Sequence, residues 1–128
     1  MVIAIVILAV IAVFILFTRR SSKGIVQANA EIARSMSLAP DTIILDVRTG
    51  PEFHEGHLKR ALHIPVTELA SRLGELAGEK ERQLLVYCRS GGRSSAACGI
   101  LAQNGFSRIV NLHGGIDSWR GSGYPIER

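Results

Sequence analysis

The chain has 128 residues, which is enough for one globular domain with its own core, and 47% of them are apolar. The net charge of +4 drops to +1 when Arg19, Arg20 and Lys23 are set aside, so the charge gives no indication of a nucleic-acid-binding surface. Two cysteines are too few for a disulfide framework and indicate reduced thiols.

Every residue from 1 to 17 is apolar, and the run ends at Thr18-Arg19-Arg20. We therefore expect a transmembrane helix over residues 1–18, a basic juxtamembrane tether over 19–23, and the folded domain over 24–128. Seventeen residues reach roughly 25 Å, slightly short of a hydrocarbon core of about 30 Å, and Thr18, local thinning and arginine snorkelling would close the gap.

A cleaved signal peptide is the competing interpretation of this segment. It is disfavoured because the basic residues follow the apolar run, and because the small-residue site at 28–30 lies far beyond its end. With positive charge only after the span, the positive-inside rule predicts a single-pass membrane protein whose C-terminal domain lies in the cytoplasm.

Short apolar runs alternate with helical patterns along the rest of the chain. Predicted strands are 24–26, 42–47, 61–64, 84–87 and 109–112, and predicted helices are 27–36, a short one between Thr49 and Gly56, one opening at Pro65, 94–103, and a last turn around Trp119. This alternation predicts an α/β fold with a mostly parallel central sheet flanked by helices.

The most informative segment is the run from Cys88 to Ser94, directly after the apolar stretch 84–87. The order predicts a thiol at the end of a strand, in a ring of inward-pointing N–H groups, at the positive end of a helix. Such a thiol is expected to have a pKa below the value of about 8.5 that is typical of a free cysteine. A structural cysteine followed by a chance polar turn is disfavoured, because two glycines and two arginines follow Cys88.

Four segments together resemble a single-domain rhodanese, the sulfurtransferase module, over residues 24–128. They are Asp46-Val47-Arg48; Glu52 to His57, continuing to Ala61 and Ile64-Pro65; Cys88 to Ser94; and Gly114-Gly115 with Trp119, Gly123 and Pro125. The resemblance implies a rhodanese-like fold. Two departures affect only a local turn, since Arg60 stands where the family usually has glycine and His63 where asparagine is common.

By this resemblance, Cys88 is the catalytic nucleophile that accepts a sulfane sulfur from thiosulfate or a persulfide. It would then pass the sulfur to a thiol or to cyanide. The implied persulfide-binding residues are those of the loop: Arg89, Ser90, Gly91, Gly92, Arg93 and Ser94. The implied partners are small sulfur donors and thiol acceptors. The apolar run adds the membrane through residues 1–18 and a candidate membrane protein as partners. No metal or other cofactor and no nucleic acid is implied.

Two other functions remain open at this point. One is a membrane-tethered sulfur carrier or docking module with negligible turnover of small donors. The other is a cysteine-based phosphatase or arsenate reductase, which is disfavoured because such phosphatases resemble Cys-x5-Arg. Here Arg93 follows Cys88 in a tighter Cys-x4-Arg loop that suits a sulfur atom better than a phosphoryl group.

Other chemically suggestive residues have simpler structural interpretations. Asp46 and Arg48 are expected to form a structural ion pair, and Arg93 has the alternative role of a brace for a nearby carboxylate. His54 and His57 lack the His-Glu-x-x-His spacing of a helical metal site, and Gly56 breaks the helix between them. Trp119 is expected in the core. Cys98 is expected to be a small buried hydrophobe rather than a resolving thiol.

Overall fold

A computed structural model describes the backbone of residues 1–22 and 25–128 and the side chains of residues 1–15 and 25–128. A first helix, α1 (Val2–Ser22), precedes an α/β domain. Because α1 runs to Ser22, most of the segment expected to be a tether is helical. The predicted end of the tether at Lys23 and the predicted start of the domain at Gly24 lie outside the described residues.

The description of α1 does not support the transmembrane helix expected over residues 1–18. No helix in the described part of the chain is both long enough and apolar enough to cross a bilayer.

Five parallel strands form the sheet in the order β1-β5-β4-β2-β3. They are β1 (Ile25–Ala28), β2 (Ile43–Asp46), β3 (Leu62–His63), β4 (Leu84–Tyr87) and β5 (Ile109–Leu112). Every residue of β2, β4 and β5 is buried, as expected for central strands covered on both faces. The predicted parallel α/β architecture is confirmed.

Helices cover both faces of the sheet. They are α2 (Ala30–Ser37), α3 (Gly50–Glu55), α4 (Val66–Arg72), a 3₁₀ helix (Leu73–Glu79), α5 (Gly92–Gln103) and α6 (Gly115–Gly121). Helix α2 begins later than predicted because β1 continues to Ala28 and the Asn29 side chain then accepts a hydrogen bond from Ile32 N–H. Helix α5 begins at Gly92, two residues earlier than predicted.

Alternate residues of the strands separate the core into two layers. One layer packs Leu45 and Val86 against α4 and α5, and the other packs Ile44 and Leu85 against α2 and α6. Trp119 lies in the second layer, buried as predicted, and its indole N–H donates to the Pro125 carbonyl at 2.9 Å.

The turn before β3 shows how the chain accommodates Arg60, at a position where the resemblance noted in the sequence favours glycine. Arg60 has a left-handed φ of +66°. Its guanidinium donates to the carbonyls of Ser37 at 2.5 Å and Ala39 at 3.4 Å, at the C-terminal end of α2. Its own N–H lies 3.3 Å from Glu127 Oε1. These bonds offset part of the strain of a left-handed arginine.

Candidate active site

Cys88 directly follows β4 at the edge where the carboxyl ends of the parallel strands meet. The loop then turns into α5 through Gly91, the residue before the helix, which has a φ of +120°. This backbone conformation is strained for any residue with a Cβ, so glycine allows the loop to close over the thiol. The order of strand, cysteine, loop and helix matches the sequence prediction.

The sulfur of Cys88 lies inside this loop and is 1% exposed at the residue level. The N–H of Gly91 donates to Sγ at 3.1 Å, and the thiol donates to Ser94 Oγ at 3.3 Å. Ser94 is fully buried, and its hydroxyl in turn donates to the Gly91 carbonyl at 3.1 Å. The sulfur thus has both a backbone and a hydroxyl partner.

The surroundings lower the pKa of this thiol. Burial acts against ionisation and raises the pKa. The Ser94 hydroxyl and the backbone N–H groups of Ser94, Gly91 and Ser90 outweigh that effect, so the pKa of Cys88 lies below its usual value. The sequence predicts the same direction from the loop and the helix terminus.

The N-terminus of α6 packs against the carbonyl side of the same loop. Ile116 N–H donates to the Cys88 carbonyl at 2.9 Å, and Asp117 N–H donates to the Arg89 carbonyl at 3.1 Å. Gly115 has a φ of +61°, and a Cβ there would overlap both carbonyls. Gly115 is therefore needed so that α6 can approach the Cys88 loop closely.

Both arginines of the loop face carboxylates. Arg93 binds Glu52 in a bidentate ion pair with distances of 2.6 and 2.8 Å, which raises the pKa of Arg93 and lowers that of Glu52 to about 2. Arg89 is far more open, with its side chain 71% exposed and Nε 3.5 Å from Asp117 Oδ2. Arg93 thus has the bracing contact that the sequence left as an alternative.

A polar cleft of about 180 Å³ lies beside the loop. Arg89 and Ile116 both line this cleft. Ile116 is the residue whose N–H donates to the Cys88 carbonyl. Three arginines and three carboxylates line the cleft together with Ile116: Arg48, Arg89, Arg120, Glu52, Glu55 and Asp117. The cleft carries balanced charge and lies at the edge of the sheet that holds the thiol.

A family model of the rhodanese-like domain matches residues 29–122. The chain belongs to the rhodanese-like domain family. The match includes Cys88 and the whole loop up to Ser94, so the family assignment and the site geometry concern the same residues.

Individual relatives agree with this assignment. A protein named sulfurtransferase from Allochromatium vinosum is 37% identical over 95 residues, covering 74% of this chain and 87% of the relative. The Arabidopsis thaliana protein HIGH ARSENIC CONTENT 1, mitochondrial, is 33% identical over 95 residues, covering 66% of this chain and 56% of the relative. The crystal structure of a rhodanese-related protein from Thermoplasma volcanium has a TM-score of 0.72 and 33% identity, covering 80% and 97% of the two chains. The domain is therefore of the rhodanese-like sulfurtransferase class.

The predicted ion pair of Asp46 and Arg48 braces the rhodanese-like domain beneath the cleft. Arg48 Nη2 lies 2.8 Å from Asp46 Oδ2 and 2.6 Å from the Gly56 carbonyl oxygen, and both ionic residues are buried. The guanidinium also lies over the Tyr87 ring at 5.6 Å, and the Tyr87 hydroxyl accepts from Leu58 N–H at 3.1 Å. These contacts join the end of β2 to the loop that follows α3, so the structural interpretation is confirmed.

The histidines of this region hold loops together. His57 Nδ1 lies 3.0 Å from the Phe53 carbonyl, its ring stacks on the Phe53 ring at 3.8 Å, and its backbone pairs with Glu127. His63 Nε2 lies 2.7 Å from the Arg48 carbonyl. In the part of the chain that the structure describes, no three His, Cys, Asp or Glu side chains are grouped to hold a metal ion.

Cys98 lies within α5, 1% exposed, in the same core layer as Cys88. Both thiols are free. Burial, together with the nearby charge of Cys88, raises the pKa of Cys98 to about 12. The prediction of a small buried hydrophobe is confirmed.

Two residues beside the loop are absent from the sequence-predicted site. Ser95 Oγ donates to the Gly91 carbonyl at 2.8 Å, and Asn111 Nδ2 donates to Ser95 Oγ at 3.3 Å and to Gln27 Oε1 at 3.0 Å. The sequence contained a signal for Asn111, because an amide side chain in an otherwise apolar, buried strand must find hydrogen-bond partners. Ser95 carries no such signal, since serines are common in the first turn of a helix.

Proposed function

We propose that the protein is a sulfurtransferase that carries sulfur on Cys88, accepting it from thiosulfate or a persulfide and passing it to a thiol or to cyanide. The observation that carries the proposal is the thiol itself. It is buried yet acidified, because Gly91 N–H and the Ser94 hydroxyl surround its sulfur. The same donors are suited to stabilise the anionic outer sulfur of a persulfide.

Transfer requires two displacements at sulfur. The Cys88 thiolate attacks the sulfane sulfur of the donor, a new S–S bond forms, and the donor's own bond to that sulfur breaks. Thiosulfate leaves as sulfite, and a persulfide leaves as its thiolate. The acceptor thiolate or cyanide then attacks the outer sulfur of the Cys88 persulfide and takes it away, which restores the Cys88 thiolate.

The Ser94 hydroxyl can change its hydrogen bond with the Cys88 sulfur as the charge on that sulfur changes through these steps. In the thiol form, Cys88 donates to Ser94 Oγ, and Ser94 donates to the Gly91 carbonyl. Once the thiol proton has left, the Ser94 hydroxyl is positioned to donate to the sulfur at the same 3.3 Å separation. A hydroxyl can make this change by rotation alone.

Arg89 is the stronger candidate of the two loop arginines for meeting an anionic donor. Its side chain is 71% exposed and its contact with Asp117 is long, at 3.5 Å. Arg93 is held by Glu52 in a short bidentate pair, so its contribution to donor binding requires that pair to open. The same pairing disfavours a phosphatase role for Arg93, which would need its guanidinium free to bind a phosphoryl group.

The test combines a transfer assay with mass spectrometry. The full chain should convert thiosulfate and cyanide, or a persulfide and a thiol, and protein treated with donor alone should gain one sulfur atom on Cys88. Cys88→Ser should abolish both. A stable Cys88 persulfide without turnover would indicate the carrier or docking module instead, and no added sulfur with either donor would refute both.

We also propose, from the sequence, that the N-terminal segment attaches the domain to a membrane with the domain in the cytoplasm. Support comes from the exposed apolar side chains of residues 1–15 and from the basic residues Arg19, Arg20 and Lys23 that follow. A membrane protein is then a candidate partner. A reporter that is active only outside the cytoplasm, fused after Arg128, should give no signal, whereas strong signal or a soluble shortened product would refute the orientation.

A further inference from the structure

We propose that Ser95 and Asn111 are positioning residues for the Cys88 reaction, which hold the Gly91 carbonyl so that the Ser94 hydroxyl is free to donate to the sulfur. The inference rests on the proposed function in that it concerns the same thiolate. Neither residue contacts the sulfur in the hydrogen-bond network, and each acts through the residue beside it.

The Gly91 carbonyl is the shared acceptor of the network. It receives the Ser95 N–H at 3.0 Å, the Ser95 hydroxyl at 2.8 Å and the Ser94 hydroxyl at 3.1 Å. A carbonyl oxygen has two lone pairs, so two of these three donors are enough to satisfy it. The Ser94 hydroxyl has the longest of the three contacts and is the donor that the carbonyl can lose.

Ser94 can supply only one proton to its two neighbours. When Cys88 is a thiol, the thiol donates to Ser94 and Ser94 donates to Gly91. When Cys88 is ionised or persulfidated, the sulfur needs the Ser94 proton. If the hydroxyl turned toward sulfur, the partly buried Gly91 carbonyl would keep two donors only while the Ser95 hydroxyl remained in place. With the Ser95 N–H alone it would be short of a donor, which would oppose ionisation.

Asn111 fixes the direction of the Ser95 hydroxyl. Its amide nitrogen, on the buried strand β5, donates to Ser95 Oγ at 3.3 Å. With a lone pair of that oxygen occupied, the single proton of Ser95 is directed to the Gly91 carbonyl at 2.8 Å. The second N–H of the amide donates to Gln27 Oε1 on β1, so two strands anchor the contact.

The buried oxygen of Asn111 indicates which half of the amide the network uses. Asn111 is 2% exposed, and its Oδ1 has no hydrogen-bond partner among the described residues. Leaving a buried acceptor unpaired is costly, whereas both N–H groups are engaged. The two N–H groups of Asn111 therefore set the orientation of its side chain, and one of them donates to Ser95 beside the Cys88 loop.

The test measures ionisation of Cys88 rather than sulfur transfer. The rate of iodoacetamide labelling of Cys88, followed by mass spectrometry across pH in the full chain, reports the thiolate fraction. In Ser95→Ala and in Asn111→Ala the midpoint should rise, and labelling at neutral pH should fall roughly threefold to tenfold, as expected when one hydrogen bond to a charged site is weakened. Ser95→Thr keeps the hydroxyl and should retain the original profile.

The controls separate positioning from stability. Asn104→Ala removes an amide at the other end of α5, whose Nδ2 donates to the Ile100 carbonyl at 2.7 Å, and it should leave the labelling profile unchanged. The double variant Ser95→Ala with Asn111→Ala should match Ser95→Ala alone, because both act through one contact. Ser95 is exposed, so the Ala and Thr pair decides the matter even if Asn111→Ala fails to fold.

An unchanged midpoint in Ser95→Ala, or a raised midpoint that Ser95→Thr does not restore, would overturn the inference. If the shifts in labelling midpoint of Ser95→Ala and Asn111→Ala add fully in the double variant, the proposed role of Asn111 would be overturned. Because labelling requires no sulfur donor, a shifted midpoint in a protein that transfers no sulfur would refute the proposed function and leave the positioning role intact.

Discussion

The two cysteines of this chain are alike in burial and opposite in chemistry. Each is 1% exposed, each is a free thiol, and both belong to the same core layer. The pKa of Cys88 nevertheless lies below its usual value, whereas that of Cys98 is raised to about 12. Burial alone therefore does not decide the direction in which the pKa of a thiol is shifted.

The difference comes from where each residue lies relative to the start of α5. Cys98 is inside the helix, where backbone N–H groups are already used in helical hydrogen bonds. Cys88 precedes the helix, so the N–H groups of the loop and the first turn are available to its sulfur. The same burial that raises the pKa of Cys98 strengthens these hydrogen bonds around Cys88.

Gly115→Ala should have the largest effect, because it removes the close approach that supports the Cys88 loop. The new Cβ would overlap the Cys88 and Arg89 carbonyls in a backbone conformation that already favours glycine. We expect a loss of about 3 kcal/mol or more in the free energy of unfolding and loss of rapid Cys88 labelling. Urea unfolding and iodoacetamide labelling measure the two effects.

Gly121→Ala, in the same helix, is the matched control. A Cβ at Gly121 would meet nothing within 4 Å, so stability and labelling should be nearly unchanged. Equal behaviour of the two variants would show that the contact between α6 and the loop does not support the site.

Cys98→Ala and Cys88→Ser should give opposite phenotypes. Truncation of a buried thiol leaves a small cavity, so Cys98→Ala should lose about 1–2 kcal/mol of stability and keep its sulfur transfer. Cys88→Ser should lose transfer by about a thousandfold or more while remaining folded. Transfer assays beside thermal unfolding make the comparison, and loss of transfer in Cys98→Ala alone would reverse the assignment.

Ser94→Ala should raise the pKa of Cys88, in the direction of the raised pKa of Cys98. It removes the hydroxyl that contacts the sulfur and leaves the Gly91 N–H in place. A hydrogen bond to a charged group contributes about 1.5–3 kcal/mol, so the thiolate fraction at neutral pH should fall by about tenfold to a hundredfold. Ser94→Thr, which retains the hydroxyl, is the control, and a labelling midpoint unaltered in Ser94→Ala would contradict the role of this hydroxyl.

Glu52→Gln should have the smallest effect, because the pair with Arg93 is partly exposed. The pKa of Glu52 is lowered to about 2 by hydrogen bonds from Arg93, so its contribution is complete above the unfolded value of 4.5. It is lost as the pH falls through about 2. With the Arg93 side chain 37% exposed, screening limits the contribution to less than about 1 kcal/mol.

Urea unfolding of wild type and Glu52→Gln at several pH values checks the sign of this effect. The difference in stability between them should be greatest near neutral pH and should shrink as the pH approaches 2. A difference that grows on acidification would mean that Glu52 does not carry a lowered pKa.

Local patterns predicted the framework and the position of Cys88 between a strand and a helix. Strand β5 lies where its apolar run predicted, Thr49 caps α3 and Gly56 ends it, and Cys88 lies at the start of its loop. These features depend on neighbouring residues, which the sequence displays directly.

The pairing of charges and amides could not be predicted in the same way. Glu52 and Arg93 are 41 residues apart, and Ser95 and Asn111 are 16 apart. Their contacts depend on strand order, since β5 and β4 must be neighbours before Asn111 can reach the start of α5. A pattern along the chain identifies Arg93 as a loop residue but does not show which way its guanidinium points.

The most direct test of the account labels both thiols of the folded chain in one experiment. Iodoacetamide is added across a range of pH, and mass spectrometry follows Cys88 and Cys98 separately. The account predicts a Cys88 labelling midpoint below that of a small-molecule thiol and almost no labelling of Cys98 until the protein unfolds. Equal midpoints, or labelling of Cys98 first, would contradict the claim that the loop around Cys88 makes one buried thiol a nucleophile.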